Sequence, residues 1–289
     1  MLMVDVLNGI TEPLSNPIVL RALVACALVA VAAGMLGCVL LVRRLSLLGD
    51  ALGHAVLPGV GVAWLVAGVG VGGLLLGGFI AGVIAALVAG LASRVTRLKE
   101  DAAFAAVFAV CSAAGVILIS QAGSQLDLLH ILFGNLLAIG RPALLVAAIT
   151  SVVVVSAFAI GWRPILLVCF DPSFQRASGG HPGVVSLVLL ALVALTLLAA
   201  LHVVGAVLSL GLFLLPAASA YLWCERWGRM LALSVALALA GSVFGILLSW
   251  HAGWPPGPSV VSVLGAFFTV SLLAAPRHGA LARWLRAKG

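Results

Sequence analysis

Residues 18–42 read IVLRALVACALVAVAAGMLGCVLLV, an apolar run whose one charged residue is Arg21. A helix rises about 1.5 Å per residue, so a run of this length crosses the ~30 Å hydrocarbon core of a bilayer. The whole 289-residue chain continues in this manner, since 64% of its residues are hydrophobic and only 8% are charged. A soluble domain carries about 25% charged residues. The sequence therefore predicts a polytopic membrane protein and excludes a water-soluble fold.

Further apolar runs of spanning length follow along the chain, near Leu45–Gly68, Val71–Ala92, Ala102–Ser120, Pro142–Ile160, Gly183–His202, Gly205–Trp223, Met230–Trp250 and Ser259–Ala275. Val71–Ala92 is rich in glycine and Gly205–Trp223 contains Pro216, so either is a candidate for a broken or re-entrant element. We predict an all-α membrane helix bundle with eight or nine transmembrane helices, forming a single transmembrane domain over residues 1–289.

The basic residues predict the orientation of the chain. With nine crossings and an external N-terminus, thirteen of the fifteen Lys and Arg residues fall on the cytoplasmic side, including those of a C-terminal tail at 276–289. Cytoplasmic loops of membrane proteins carry such an excess of Lys and Arg. The net charge of +7 therefore reflects topology, and we expect no nucleic-acid partner.

Asp50 is the only acidic residue inside a predicted span. His54 follows four residues later, so the two side chains share one face of a helix. Counted from Arg44 at about 1.5 Å per residue, His54 lies roughly 15 Å deep, near the middle of the bilayer. A carboxylate and an imidazole suit zinc or manganese, and a symmetric dimer would supply two of each. A buried Asp–His pair that fixes helix packing or relays protons is an equal alternative at this point.

Small residues and prolines surround this pair. Gly49 and Gly53 have the spacing that lets helices approach closely, and Pro58 follows His54 by one turn. Pro58 and Pro216 are candidates for the helix breaks that form substrate sites in transporters. For each glycine taken singly, ordinary tight packing is the more common explanation.

Two histidines fall near the external ends of predicted spans, His202 and His251. Both are candidates for an access route for metal. Interfacial histidines are more often simple polar residues, and we favour that interpretation.

No residue pattern for ATP hydrolysis is present in the sequence. Lys99 is followed by Glu100 and Lys288 by Gly289, so neither lysine completes a GxxxxGK[ST] phosphate loop. We predict that the chain is not an enzyme and that any ATP driving transport is hydrolysed on a separate ATPase subunit.

The stretch RRLSLLGDALGHAVLPG at residues 43–59 closely resembles the signature of the permeases of zinc- and manganese-uptake ABC transporters, the ABC-3 family. Further segments that match the family in order are KEDAA (99–103), LFGNLL (132–137), FDPSF (170–174), VVG (203–205) and LLPAA (214–218). The resemblance covers nearly the whole chain, and its first motif is long and specific.

This resemblance implies a homodimeric permease, embedded in the lipid of the bacterial inner membrane as a multi-pass protein. It implies two cytoplasmic ATPase partners, which hold the ATP, and an external, periplasmic metal-binding protein. Zinc or manganese would be the transported ion, with no permanently bound cofactor. Asp50 and His54 match the positions regarded as the cation-coordinating pair.

The resemblance also assigns a cytoplasmic coupling segment near 163–182, whose helix docks on the ATPase. The residues concerned are Phe170, Asp171, Pro172, Phe174, Arg176 and Gly179. The sequence QRASGG (175–180) departs here from the usual Ala-Arg-Ala-Leu-Gly pattern of the family.

The predicted function is a metal-importer permease, with zinc as the first choice of ion. A manganese (or iron) importer of the same type remains open, as do a proton- or ion-coupled secondary carrier and an intramembrane enzyme or scaffold. The polar segment WRPILLVCFDPSFQRASGGH (162–181) favours the importer, because a carrier that works alone needs no docking element.

Overall fold

A computed structural model describes residues 13, 15–45, 55, 57–67, 71–97, 100–121 and 139–275. These residues form eleven helices and contain no strand. The helices are α1 Pro17–Val42, α2 Leu57–Ala67, α3 Val71–Val95, α4 Glu100–Gln121, α5 Arg141–Ile160, α6 Trp162–Phe170, α7 Pro172–Ala177, α8 Pro182–Val204, α9 Ala206–Trp223, α10 Trp227–Ala252 and α11 Pro256–Ala274.

Six candidate membrane spans lie within the described part of the chain: α1, Leu76–Ser93 of α3, α5, α8, α10 and α11. Two shorter apolar helices, Ala102–Leu118 and Leu208–Trp223, belong to α4 and α9. The prediction of an all-helical membrane fold is confirmed for these residues. Neither suspected break is present, because α3 runs continuously through its glycines and α9 continues past Pro216.

The chain divides into two compact units. The first comprises residues 1–38, 129–151 and 199–289, and the second comprises residues 39–128 and 152–198. The prediction of a single transmembrane domain remains a prediction.

In the first unit, helices α9, α10 and α11 pack against one another. A Cβ added to Gly245 of α10 would overlap the backbone of Val260 in α11, so only glycine allows this approach. The Ser234 hydroxyl of α10 donates a hydrogen bond of 2.8 Å to the carbonyl of Gly34 in α1. Small residues and hydrogen bonds between helices hold membrane bundles together. Burial of apolar surface does not favour helix association there, because the surrounding lipid is itself apolar.

In the second unit, α2, α3 and α4 pack together. A Cβ on Gly77 of α3 would lie 2.6 Å from the Gly59 carbonyl oxygen and 2.7 Å from Ala63 Cβ in α2. The glycine-rich sequence of α3 therefore serves close helix contact and does not break the helix.

Candidate functional site

The predicted metal pair, Asp50 and His54, lies outside the described residues, as do Gly49 and Gly53. Their proposed roles remain predictions. Within the described part of the chain, no group of three or more His, Cys, Asp or Glu residues is placed to hold a metal ion.

The two predicted gating prolines occupy packed positions. Pro58 is the second residue of α2 as described, is half-buried, and precedes the glycine that contacts α3. Pro216 is buried inside α9, where it contributes no N–H to the helix. Gly37 of α1 approaches the Phe213 carbonyl of α9 so closely that a Cβ would overlap it. Both prolines thus stand beside tight contacts between helices, and a gating role remains a prediction.

The two candidate histidines of the access route are both exposed, His202 near the end of α8 and His251 near the end of α10. His251 Nδ1 lies 2.8 Å from the carbonyl oxygen of Leu247 in its own helix. Because a carbonyl oxygen only accepts, Nδ1 is the donor in this contact. Each histidine therefore stays available to solvent, and their part in metal access remains a prediction.

The predicted coupling segment folds as two short helices that meet at Asp171. The Asp171 carboxylate caps α7, since its Oδ1 accepts a 2.9 Å hydrogen bond from the backbone N–H of Phe174. Pro172 occupies the first position of α7, where a helix needs no N–H donor. The sequence Asp-Pro-Ser-Phe therefore starts a new helix at a defined residue.

The Ser-Gly-Gly sequence that departs from the family pattern ends α7 in a Schellman motif. Gly180 N donates to the Gln175 carbonyl at 2.8 Å, and Gly179 N donates to the Arg176 carbonyl at 3.1 Å. Gly179 has φ +78°, a left-handed conformation that glycine adopts without strain. A Cβ on Gly180 would lie 2.9 Å from the Gln175 carbonyl oxygen. The two adjacent glycines thus define the end of the helix, one through its φ angle and the other through its small size.

The surface of this segment is unusually aromatic for residues outside a candidate span. Phe170 is 61% exposed and Phe174 is 57% exposed, and Arg176 is also exposed. Gln175, between the last two, is only 4% exposed, and within the described part of the chain its Oε1 has no hydrogen-bond partner. Gln175 is the one buried residue of α7, and the helix presents one aromatic and one basic side chain outward. Such a patch is typical of a surface that another protein covers.

Sequence reasoning missed a second Schellman motif, at the end of α1. Leu45 N donates to the Leu40 carbonyl at 2.7 Å, and Arg44 N donates to the Leu41 carbonyl at 3.0 Å. Arg44 occupies the left-handed position with φ +58°. The usual signal for such an end is glycine, and its absence hides the motif in the sequence.

Arg44 also lines a cavity of about 930 Å³ with residues of α6, α7 and α8, all within the second unit. Cys169 of α6 forms part of its wall. Burial raises the pKa of the Cys169 thiol to about 11, against a smaller lowering by the nearby charge of Arg43. The thiol is therefore neutral and weakly nucleophilic at physiological pH.

Comparison with known proteins identifies the class. The ABC 3 transport family profile matches residues 15–275. The manganese transport system membrane protein MntC of Halalkalibacterium halodurans is 36% identical over 269 residues, which make up 93% of this chain and 91% of that protein. The chelated iron transport system membrane protein YfeD of Yersinia pestis is 34% identical over 269 residues, covering 91% and 88% of the two chains.

A solved structure gives the same result. PsaBC from Streptococcus pneumoniae in complex with Fab matches 98% of this chain and 100% of the other, with a TM-score of 0.84 and 29% sequence identity. The fold and these relatives define a multi-pass membrane permease of a metal-importing ABC transporter in the bacterial plasma membrane. The chain belongs to the ABC 3 transport family.

Proposed function

We propose that this chain is the permease of an ATP-driven importer of Mn²⁺, with Fe²⁺ as the second candidate ion. The observation that carries this choice is the identity of 36% to a manganese transport protein over nearly the whole chain. A relative named for chelated iron is almost as similar. The sequence analysis put zinc first, but a carboxylate–imidazole set accepts manganese and iron as well, so the donor atoms do not select zinc.

Asp50 and His54 from two copies of the chain are the proposed ligands along the ion pathway. Support comes from the sequence alone: Asp50 is the only acid in a predicted span, and His54 lies one helical turn away. An unpaired carboxylate within the bilayer is unfavourable by about 2.5 kcal/mol or more, so a cation would stabilise it. The site need not bind tightly, because a transported ion must also leave.

The proposed docking surface for the separate ATPase subunit is the exposed face of α6 and α7 around Phe170, Phe174 and Arg176. Its support is the aromatic exposure described above, together with the absence of a phosphate loop from the sequence. The residues that shape the surface are Asp171 and Pro172 at the start of α7 and Gly179 at its end.

We also propose nine crossings, with the N-terminus external and the C-terminal tail cytoplasmic. The six candidate spans and two shorter apolar helices would account for eight of them. The predicted run Leu45–Gly68, which includes α2, would supply the ninth. An external metal-binding protein would then deliver the ion at the surface opposite α7.

The test is uptake of ⁵⁴Mn into proteoliposomes that contain the chain, its cognate ATPase and its metal-binding protein. Asp50→Asn keeps the size of the side chain and removes its charge, and His54→Ala removes a donor atom. Each should reduce ATP-dependent uptake at least about a hundredfold, while the ATPase remains bound. The matched controls His202→Ala and His251→Ala remove exposed histidines and should retain uptake within about threefold of wild type.

Three outcomes would contradict the proposal. Wild-type uptake by both Asp50→Asn and His54→Ala would place the pathway elsewhere. Metal transport by the chain without an ATPase would indicate a secondary carrier. A preference for ⁶⁵Zn over ⁵⁴Mn in direct competition would restore zinc as the substrate.

A further inference from the structure

A basic cavity lies in the second unit between the end of α1, the α6–α7 segment and the start of α8. Its volume is about 930 Å³, which is in the range of sites for small ligands. Its titratable side chains are Arg43, Arg44, His181 and Arg176, together with the neutral thiol of Cys169. The part of the chain that the structure describes contributes no carboxylate to the lining. The basic cavity therefore favours an anion.

The first turn of α8 adds to this preference. Pro182 and Gly183, at the start of a 23-residue helix, form part of the lining, and Ser186 contributes to it one turn later. The N-terminus of such a helix carries a partial positive charge of about half a unit. Side-chain cations and a helix dipole thus act on the same space, an arrangement suited to phosphate.

The conformation of Arg44 points to the same use. A non-glycine residue in the left-handed region is less stable than one in a right-handed helix, because its Cβ lies close to the following carbonyl oxygen. Glycine would complete the same helix end without that strain. Strain of this kind is commonly retained where the side chain has a function, and Arg44 is one of the residues that line the basic cavity.

The position of the basic cavity selects the source of the anion. It lies where the candidate span α1 ends and the candidate span α8 begins. Because helices of this kind cross the hydrocarbon core, we expect their ends to lie at the level of the lipid phosphates. Its wall continues into apolar residues, among them Val184 and Leu187, whose side chains are exposed. Basic residues beside apolar ones at the ends of membrane helices are suited to a lipid headgroup with its acyl chains.

We propose that the basic cavity binds the phosphate of an anionic lipid headgroup, such as phosphatidylglycerol. Arg44 and Arg176 contact the phosphate oxygens, and the exposed apolar residues of α8 contact the first part of the acyl chains. This site differs from the metal pathway, and it shares Arg176 with the proposed docking surface of α6 and α7. An acidic side chain of the ATPase is the competing occupant that the test distinguishes.

The test is lipid binding to the purified full chain in a neutral detergent, followed by native mass spectrometry. Dioleoyl phosphatidylglycerol is titrated against wild type and the double variant Arg44→Gln, Arg176→Gln. Two arginines near a lipid surface contribute about 1 kcal/mol each, so the variant should bind about thirtyfold more weakly. Glutamine at position 44 keeps the left-handed strain, so the lipid-free stability should not change.

The matched control is Arg226→Gln with Arg229→Gln, two exposed arginines at the start of α10 that do not line the basic cavity. This control should bind phosphatidylglycerol as wild type does. Dioleoyl phosphatidylcholine should bind wild type and both variants equally weakly. Inorganic phosphate and glycerol 3-phosphate, at the same concentration as the lipid, should not displace it.

Equal lipid binding by wild type and the double variant would overturn the proposal. Displacement by inorganic phosphate at equal concentration would show a site for a free anion and overturn the lipid assignment. Loss of ATPase binding with unchanged lipid binding would make the basic cavity a protein contact, and the proposal would fail. None of these measurements involves metal. A result that overturns the lipid proposal would therefore not contradict the import proposal.

Discussion

The ends of α1 and α7 have the same hydrogen-bond pattern but differ in the residue at the left-handed position. The end of α7 has Gly179 there, at φ +78°, and the end of α1 has Arg44, at φ +58°. Among the residues that the structure describes, nothing lies within 4 Å of a Cβ built on Gly179, so conformation alone accounts for glycine there. At position 44 the left-handed conformation disfavours arginine, so a requirement other than backbone conformation must maintain arginine there.

The difference teaches how to separate residues that build the fold from residues that use it. Where local geometry and residue type agree, as at Gly179, the sequence is consistent with folding alone. Where they disagree, as at Arg44, the residue is a candidate for function. Four substitutions, three of them with a matched variant, test this comparison. The largest effect is expected at Gly179, where backbone conformation alone accounts for the residue.

Gly179→Val should destabilise the chain by about 2 kcal/mol, because a β-branched residue is strongly disfavoured at positive φ. The lower thermal midpoint of the purified chain in detergent measures this loss. The exposed face of α7 should lose its affinity for the ATPase in parallel.

The matched control is Gly265→Val in α11. A Cβ at Gly265 also meets no described residue within 4 Å, and the φ angle of Gly265 is not positive. Valine and glycine differ by only a few tenths of a kcal/mol in helix propensity, so stability should change little. An equal loss in both variants would mean that the added side chain, and not the left-handed backbone, is responsible.

Asp171→Ala should destabilise α7 by about 1 kcal/mol, because the Phe174 N–H loses its capping acceptor. Asp171→Asn keeps an oxygen acceptor and should restore most of the stability. Thermal unfolding of the two variants separates capping from charge. If the asparagine variant is as unstable as the alanine variant, the charge of Asp171 and not its cap is what the segment requires.

Much of the helical fold could be predicted from the sequence, because apolar length alone marks a span. The run predicted to begin at Ile18 begins at Pro17 and ends at Val42 as expected, and the division before Gly205 is present, with φ +83° at that residue. The helix breaks predicted from glycine and proline were wrong, because Gly77 and Pro216 lie inside continuous helices. At both positions helix packing had the stronger effect.

The candidate site was less accessible to prediction. The coupling segment could be located by its polar sequence and by resemblance. Asp followed by Pro is also typical of a helix start, but only the structure shows that the Asp171 carboxylate accepts the Phe174 N–H. The basic cavity combines Arg44 with Arg176, which are far apart in sequence and meet only in the fold. A strained arginine has no sequence signal, because the pattern that normally marks a left-handed helix end is glycine.

Arg44→Gly should stabilise the lipid-free chain by about 0.5 kcal/mol. Relief of the left-handed strain favours the variant, and the greater freedom of glycine in the unfolded chain offsets part of that gain. A slightly higher thermal midpoint in neutral detergent measures the change. The same variant should gain less stability than wild type on addition of phosphatidylglycerol. A lower midpoint without lipid would show that Arg44 makes contacts that stabilise the fold, and the comparison of the two helix ends would fail.

The smallest effect is expected from the positive charge of Arg43, the residue that follows α1. Cys169 lies in the wall of the basic cavity, in a helix outside the candidate spans. With its pKa raised from 9.0 to about 11 by burial, its thiolate fraction at pH 8 is about a hundredfold below that of an ordinary cysteine. Alkylation of Cys169 by N-ethylmaleimide, followed by peptide mass spectrometry, should be slower by at least that factor than alkylation of N-acetylcysteine.

Arg43→Gln should slow this alkylation further, by up to about fivefold, because the arginine charge lowers the thiol pKa. The matched variant Arg226→Gln, at the start of α10, should leave the rate unchanged. The same pKa shift affects the stability of the fold. Because the thiol pKa of Cys169 is higher in the folded chain than in the unfolded chain, its contribution to the free energy of unfolding is fully present below pH 9. That contribution is lost as the pH rises toward 11. Faster alkylation in Arg43→Gln would mean that Arg43 shields the thiol sterically and that its charge does not reach the wall of the basic cavity. An unchanged rate would restrict the positive charge of that cavity to Arg44 and Arg176.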